Sequence, residues 1–155
     1  MTMDSFVDKP YRLEDLMPLI REQLAAGRSV RFSPRGTSML PMLRQGIDRV
    51  VLSPVPPTLK KYDLPLYQRD NGQYVLHRVI KADGTYTCMG DNQFDPEPGL
   101  RRDQMIALVT SFTRGDREIP VTAWGYRLYC RVWYHSRHLR HIFRWAKNRL
   151  RRHLQ

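Results

Sequence analysis

The sequence predicts a mainly β fold, a coiled antiparallel sheet forming a barrel, with a short N-terminal helix and a long basic C-terminal helix. Many short β-patterned segments separated by turns favour this class over a βαβ fold. The 155 residues are enough for one domain with a real core. Every acidic residue lies before position 119, so we divide the chain into a body over 1–118 and a tail over 119–155.

Apolar residues near the N-terminus recur at helical spacing and predict an amphipathic helix over 13–26. Gly27 is a natural stop for this helix. Pro18 falls inside it, and we expect that proline to kink the helix or delay its start. The residues that carry the periodicity are Leu13, Leu16, Leu19, Ile20 and Leu24.

From residue 29 to about residue 114 the sequence is β-patterned. Asp83-Gly84 and Gly115-Asp116 are turn signals between the segments, and we interpret 96–99 as a loop. The predicted strands are 29–33, 47–52, 64–68, 73–81, 85–89 and 105–112.

After Pro120 the pattern becomes that of a long basic amphipathic helix, with Thr122 as a plausible N-cap and a break near Ser136. Residues 119–155 hold nine Lys and Arg and no acidic residue, a charge of +9 out of the total of +11. Residues 1–118 hold 17 basic and 15 acidic residues, which leaves +2. The apolar positions are Trp124, Leu128, Val132, Leu139, Ile142, Phe143, Ala146, Leu150 and Leu154.

Composition excludes several classes of protein. Cys88 and Cys130 are too few for a disulfide framework and lack metal-ligand spacing, so we expect two reduced thiols. The first residues carry Asp4 and Asp8 and lack a long apolar run, which argues against a secretory signal. No window approaches the ~20 apolar residues of a membrane span. We therefore expect a cytoplasmic or peripheral membrane protein.

Three short motifs bring together the residue types of a serine hydrolase: Gly36-Thr37-Ser38-Met39-Leu40-Pro41, His77-Arg78-Val79 and Gly90-Asp91-Asn92. A serine hydroxyl needs a base within hydrogen-bond reach, and the imidazole of His77 suits that role. A carboxylate on the other ring nitrogen would fix the tautomer. Asp91, Asp95 and Glu97 are the nearest candidates.

These motifs, in this order, resemble the catalytic core of the signal peptidase I superfamily, which includes the LexA-type self-cleaving repressors. The nucleophile box matches 36–41, the base box matches Leu76-His77-Arg78-Val79-Ile80, and the last box matches 90–92. The intervening Gly-Asp strands are approximated by 46–50 and 62–65. The resemblance covers roughly residues 29–112.

The resemblance implies a serine peptidase in which Ser38 is the nucleophile and His77 the general base. Bacterial members usually carry lysine at the base position, whereas histidine resembles the endoplasmic-reticulum and archaeal type. In that type an aspartate commonly follows the Asp of Gly-Asp by six residues, and Glu97 occupies that place. We therefore favour Glu97 or Asp91 over Asp95 as the partner of His77.

The resemblance also implies an oxyanion and substrate-binding segment made of Gly36, Thr37, Met39 and Pro41. Gly36 allows a sharp turn, which would present the Ser38 N–H as an oxyanion donor. Many family members have a serine at the position of Gly36, so this chain would rely on backbone N–H groups or on Thr37. The membrane-spanning segments of the family have no counterpart in this sequence, so the resemblance does not extend to exported preproteins as substrates.

The basic tail has three interpretations. It is a solvated helix packed on the barrel by its apolar stripe, an interfacial helix that binds an anionic membrane surface through 124–155, or a nucleic-acid-binding segment. No DNA-binding motif supports the third. His135, His138 and His141 are spaced by three, but their cationic neighbours disfavour a metal, and we expect no cofactor.

The leading hypothesis is a serine endopeptidase that cleaves a peptide or a precursor protein through Ser38 and His77. The first alternative is a LexA-like regulator that binds nucleic acid through its tail. Ala26-Gly27 is the only Ala-Gly pair before Ser38 and lies 11 residues from it, which leaves little chain to fold back into the site. The second alternative is a non-catalytic module that binds peptides or membranes.

Overall fold

Residues 12–153 fold into two antiparallel β-sheets and three α-helices, a mixed architecture in which the expected β-rich body is present. The computed structural model describes residues 12–153. Asp4, Asp8 and Leu154, which enter the sequence predictions, lie outside the described residues. The strands of the described part do not close into a barrel, in contrast to the expectation.

Helix α1 spans Leu13–Ala25 and confirms the first predicted helix. Pro18 lies inside α1, so the proline does not delay the start of the helix. Met17, Ile20 and Leu24 lie on one face and are buried. The helix ends before Gly27, whose φ of 72° is a left-handed conformation that glycine adopts without steric cost.

The larger sheet has six strands in the order β1-β2-β8-β3-β4, with β9 paired to β8. Its long central strand β8 joins the others because it contacts β2, β3 and β9 along its length. The strands are β1 (Val30–Phe32), β2 (Val50–Ser53), β3 (Pro65–Gln68), β4 (Tyr74–Leu76), β8 (Met105–Arg114) and β9 (Arg117–Pro120).

The smaller sheet has three strands in the order β5-β6-β7, which are β5 (Arg78–Ala82), β6 (Tyr86–Met89) and β7 (Glu97–Leu100). The β5–β6 hairpin turns at Asp83-Gly84, as predicted. Strand β7 falls on the segment that we predicted as a loop. Proline and glycine are typical of loops, so this segment lacks the pattern of a strand. It is an edge strand that pairs with β6, with Glu97 opposite Cys88 and Leu100 opposite Tyr86.

The predicted strand over 73–81 is wrong, because the chain leaves one sheet and enters the other at His77. The backbone of Val79 exchanges hydrogen bonds with Tyr62 and Asp63, which holds the crossing in place. His77, Arg78 and Val79 are buried in succession, so the period of two that marks a single strand is lost. The histidine therefore lies at the junction of the two sheets.

The basic tail forms α2 (Trp124–His135) and α3 (Arg137–His153), so the predicted break at Ser136 is confirmed. The N-cap of α2 is Ala123 rather than Thr122, and no side chain caps it. Tyr126 and Cys130 of α2 are buried in the main core together with α1 and the larger sheet. The first half of the tail is thus packed into the body of the protein.

Candidate active site

Ser38 and His77 line one open cleft of ≈ 230 Å³. One wall is the turn over 34–39 that carries the serine, and the other is the segment over 73–77 that carries the histidine. Strand β4 in that second wall is the last strand of the larger sheet, so it has a sheet edge. Arg69 is also in the lining and contributes a positive charge.

The turn before the serine depends on Gly36, whose φ of 89° is left-handed. The Gly36 N–H donates to Oε1 of Gln45 at 2.8 Å, so this amide does not face the cleft as a donor. Within residues 12–153 the Ser38 N–H has no hydrogen-bond partner. This amide is therefore free to bind an oxyanion.

The Gly90-Asp91-Asn92 segment holds the serine turn through its backbone. The Asn92 N–H donates to the Ser38 carbonyl at 2.8 Å, and Asn92 Nδ2 donates to the Thr37 carbonyl at 3.1 Å. A Cβ on Gly90 would lie 2.6 Å from the Ser38 carbonyl oxygen, so only glycine permits this approach. The third motif therefore fixes the position of the first.

Asp91 is bound to Arg78, not to His77. Its two carboxylate oxygens accept from Nε and Nη2 of Arg78, each at 2.8 Å, and one also accepts from the Tyr129 hydroxyl at 2.9 Å. The side chains of the pair are only 2–3% exposed. A buried bidentate pair of this kind fixes geometry, because neither charge can be left without the other. Asp91 thus anchors the loop beside the serine.

Arg78 connects this loop to the core and to α2. Its Nη1 donates to the Tyr126 hydroxyl at 2.8 Å and lies 3.0 Å from the Cys130 sulfur. Its Nη2 lies 3.0 Å from the Met42 sulfur. This role of Arg78 was not predicted from the sequence, since no local pattern indicates which residue a buried arginine will meet.

His77 is reached by Glu97 through an intervening tyrosine. The Tyr67 hydroxyl donates to Glu97 Oε2 at 2.8 Å and lies 3.4 Å from His77 Nδ1. Glu97 is in turn held by Arg69, whose Nε and Nη2 donate to its two oxygens at 2.8 and 2.7 Å. The order is therefore His77, Tyr67, Glu97 and Arg69, of which only His77 and Glu97 were predicted.

The single hydroxyl proton of Tyr67 decides the tautomer of His77. Because that proton is donated to Glu97, the contact with the histidine requires Nδ1–H to donate to the tyrosine oxygen. The Nε2 atom then carries a lone pair and can accept a proton. Burial raises the pKa of Tyr67, so its hydroxyl stays protonated. The ion pair with Arg69 lowers the pKa of Glu97, which stays ionised at neutral pH.

Burial, followed by the charge of Arg69, lowers the pKa of His77 to about 4. The imidazole is therefore neutral at pH 7, which is the form that a base needs before it accepts a proton. Glu97 and Asp91 act in the opposite direction on the pKa of His77, but their effect is smaller than that of burial.

The remaining predicted site residues have different surroundings. Met39 lines the cleft and is also part of the main core. Thr37 and Pro41 are exposed and are not among the cleft residues. Asp95 is exposed, and its side chain makes no hydrogen bond or ion pair within the described part of the chain. Of the predicted segment, Gly36, Ser38 and Met39 are in a position to meet a ligand in the cleft.

A comparison with protein-family models found no matching family, and a comparison with curated proteins found no match. Among residues 12–153, no three His, Cys, Asp or Glu side chains are grouped so that they could hold a metal ion. No helix in the same part of the chain is long and apolar enough to cross a membrane.

Proposed function

We propose that the protein is a serine endopeptidase with a fold of the signal-peptidase and LexA type. The observation that carries the proposal is that Ser38 and a neutral, oriented His77 line the same cleft. The motif resemblance and the backbone contacts that hold the serine turn support it. Serine and histidine are the minimum for nucleophilic attack assisted by a general base.

In this mechanism, Nε2 of His77 takes the Ser38 proton as the hydroxyl oxygen attacks the scissile carbonyl. The Ser38 N–H donates to the oxyanion of the tetrahedral intermediate. His77 then passes its proton to the leaving amine, and an acyl-enzyme remains. A water molecule attacks the ester with His77 again as the base, which releases the acid and restores the serine.

The Tyr67–Glu97 pair takes the role that a carboxylate has in a serine protease triad. Tyr67 accepts the Nδ1–H bond and holds the tautomer, while Glu97 holds the tyrosine proton away from His77. As the imidazolium forms, the negative charge of Glu97 stabilises it across the Tyr67 hydroxyl. We thus assign Glu97 as an indirect partner of the base and Asp91 as an anchor of the serine turn.

The substrate is an extended peptide or a segment of a precursor protein. Strand β4 ends the larger sheet and its residues line the cleft, so an extended chain can pair with this edge by β-augmentation. Such pairing brings a scissile carbonyl up to the Ser38 hydroxyl without need for a large apolar pocket.

The test is cleavage of a peptide library and of candidate precursors by wild type, Ser38→Ala and His77→Ala. We expect both variants to lose at least ~100-fold in kcat/KM, since general-base and nucleophilic steps contribute at least that much. Ser53→Ala is the matched control, because its hydroxyl bonds to Ser29 and Thr110 on the larger sheet. Equal activity of all four proteins would refute the mechanism.

A further inference from the structure

The two C-terminal helices turn an aromatic and polar face towards the body of the protein. Trp133 Nε1 donates to the Asp91 carbonyl at 2.7 Å, and Arg140 Nη1 donates to the same oxygen at 3.2 Å. Arg144 Nη2 donates to Asn92 Oδ1 at 2.7 Å, and His141 stacks on Phe94 with ring centroids 4.7 Å apart. The side of α3 that carries Arg140, His141 and Arg144 therefore faces the body of the protein.

The opposite face carries a row of exposed apolar side chains, which we name the outer stripe: Leu128, Val132, Leu139, Ile142, Phe143 and Leu150. Each is between 51% and 73% exposed. Their spacing by three, four and seven keeps them on one side of a helix. Backbone bonds from Ser136 to Val132 and from Arg140 to Ser136 carry the helical pattern from α2 into α3. A helix that packs on its own domain buries its apolar side, whereas here the apolar side faces solvent.

Cationic side chains border the outer stripe. By helical spacing Lys147 and Arg149 lie on its two flanks, and both are exposed. The Arg149 guanidinium lies 5.3 Å from the ring centre of Trp145, which is also exposed. An apolar stripe with aromatic groups and basic flanks is the composition of a helix that lies in the headgroup region of a bilayer.

We propose that the outer stripe docks on an anionic lipid bilayer, with α2 and α3 lying in the plane of the interface. The apolar side chains enter the boundary between headgroups and acyl chains, and Lys147 and Arg149 meet anionic headgroups. The charge of the tail, nine basic and no acidic residues over 119–155, complements such a surface.

Two other occupants fit the observations less well. Nucleic acid would leave the apolar row without a partner, and Arg140 and Arg144 are already engaged with Asp91 and Asn92. A second copy of the chain would bring together two tails that are both strongly basic, and like charges oppose that contact. The lipid surface alone matches both the apolar row and the charge on its flanks.

Membrane docking would hold the cleft next to the bilayer. The inner faces of α2 and α3 bind the Asp91 and Asn92 carbonyls, and the Asn92 N–H binds the Ser38 carbonyl. The Asp91-Asn92 segment therefore connects the interfacial helices directly to the serine turn of the cleft. A role of this placement in the cleavage of membrane-linked substrates rests on the proposed function. The docking itself is independent of the proposed function.

The test is co-sedimentation of the full chain with vesicles of phosphatidylcholine alone and of phosphatidylcholine with phosphatidylglycerol. The Ser38→Ala protein is used alongside wild type, so that binding is measured apart from any turnover. All three tryptophans, at 124, 133 and 145, lie in α2 and α3, so a blue shift of intrinsic fluorescence reports on this region directly.

We expect binding to the anionic vesicles, and a loss of at least about tenfold in affinity for Ile142→Ser with Phe143→Ser, since each buried apolar side chain accounts for about that much. Lys147→Gln and Arg149→Gln should each lose about fivefold on anionic vesicles. Ile47→Ser is the control, because Ile47 is equally exposed at 62% but lies outside the helices. Circular dichroism confirms that each variant is folded.

Absence of wild-type binding to anionic vesicles would overturn the proposal, as would equal loss in the Ile47 control. Binding to duplex DNA or RNA that falls with the charge variants and ignores the apolar ones would assign the surface to nucleic acid instead. A concentration-dependent dimer that Ile142→Ser with Phe143→Ser abolishes would assign it to a second copy. Vesicle binding that Ser38→Ala retains supports docking even where no peptide is cleaved.

Discussion

Replacing Asp91 by asparagine removes the negative charge from a fully buried ion pair while keeping the shape of the side chain. The carboxylate accepts two hydrogen bonds from Arg78 at 2.8 Å and one from Tyr129 at 2.9 Å, and both charged side chains are at most 3% exposed. Asparagine offers one acceptor oxygen and turns an N–H2 group towards the guanidinium. Arg78 is then a buried cation without its counter-ion.

Breaking a buried pair by removing one partner costs about 3–5 kcal/mol. Small domains are stable by only about 5–15 kcal/mol, so Asp91→Asn should lose a large part of the free energy of unfolding. The assay is urea unfolding followed by circular dichroism, with ΔG taken by linear extrapolation and the slope m compared with wild type. We expect a lower midpoint at an unchanged slope.

Asp70→Asn is the matched control, since Asp70 also pairs with an arginine, Arg101, but both side chains are more than half exposed. We expect this change to leave the free energy of unfolding nearly unaltered, because exposed pairs contribute little. A loss below about 1 kcal/mol for Asp91→Asn, or equal losses in the two variants, would refute the structural role assigned to Asp91.

Four further substitutions probe His77 and the serine turn. The wild-type kcat/KM should rise with pH through about 4 as His77 loses its proton. Because Arg69 lowers the pKa of His77, this acidic limb of the pH profile should move to higher pH in Arg69→Gln. Because Glu97 raises the pKa of His77, the acidic limb should move to lower pH in Glu97→Gln. Tyr67→Phe removes the Nδ1 partner of His77 and should lower kcat by about tenfold or more in a peptide-cleavage assay. Gly90→Ala forces a Cβ to within 2.6 Å of the carbonyl oxygen of the serine turn, so it should cost about 1–3 kcal/mol of unfolding free energy and reduce kcat.

The changes at Tyr67 and Gly90 each have a control in the same molecule. Tyr86→Phe is the control for Tyr67→Phe, because Tyr86 is a buried tyrosine of the same hydrophobic cluster and its hydroxyl bonds to the Leu59 N–H instead of His77. Its kcat should stay near the wild-type value. Gly125→Ala adds a methyl group where no atom lies within 4 Å, and α2 should keep or slightly gain stability. A shift of the acidic limb in the same direction for the two charge variants would contradict the assigned electrostatics.

The local signals in the sequence were sufficient for the helices and for the turns. The 3.6-residue period predicted α1 and the two basic helices, and Gly27 and Gly84 have the positive φ angles that their turns need. Strand pairing follows from contacts distant in sequence, so neither β7 nor the division of 73–81 into two strands could be predicted. A short edge strand that contains Pro98 carries almost no alternation of its own.

The sequence by itself determined which motifs are present and in what order: a serine after a glycine turn, a histidine in a β-patterned segment, and a Gly-Asp-Asn segment. Only the tertiary structure decided which acid is connected to His77. Asp91 and Glu97 are equal candidates in the sequence, yet one is paired with Arg78 and the other is joined to His77 through Tyr67. The physical reason is that a carboxylate removed from water pairs with the cation that folding places beside it. Which cation lies beside each carboxylate is set by the packing of the two sheets and the helices.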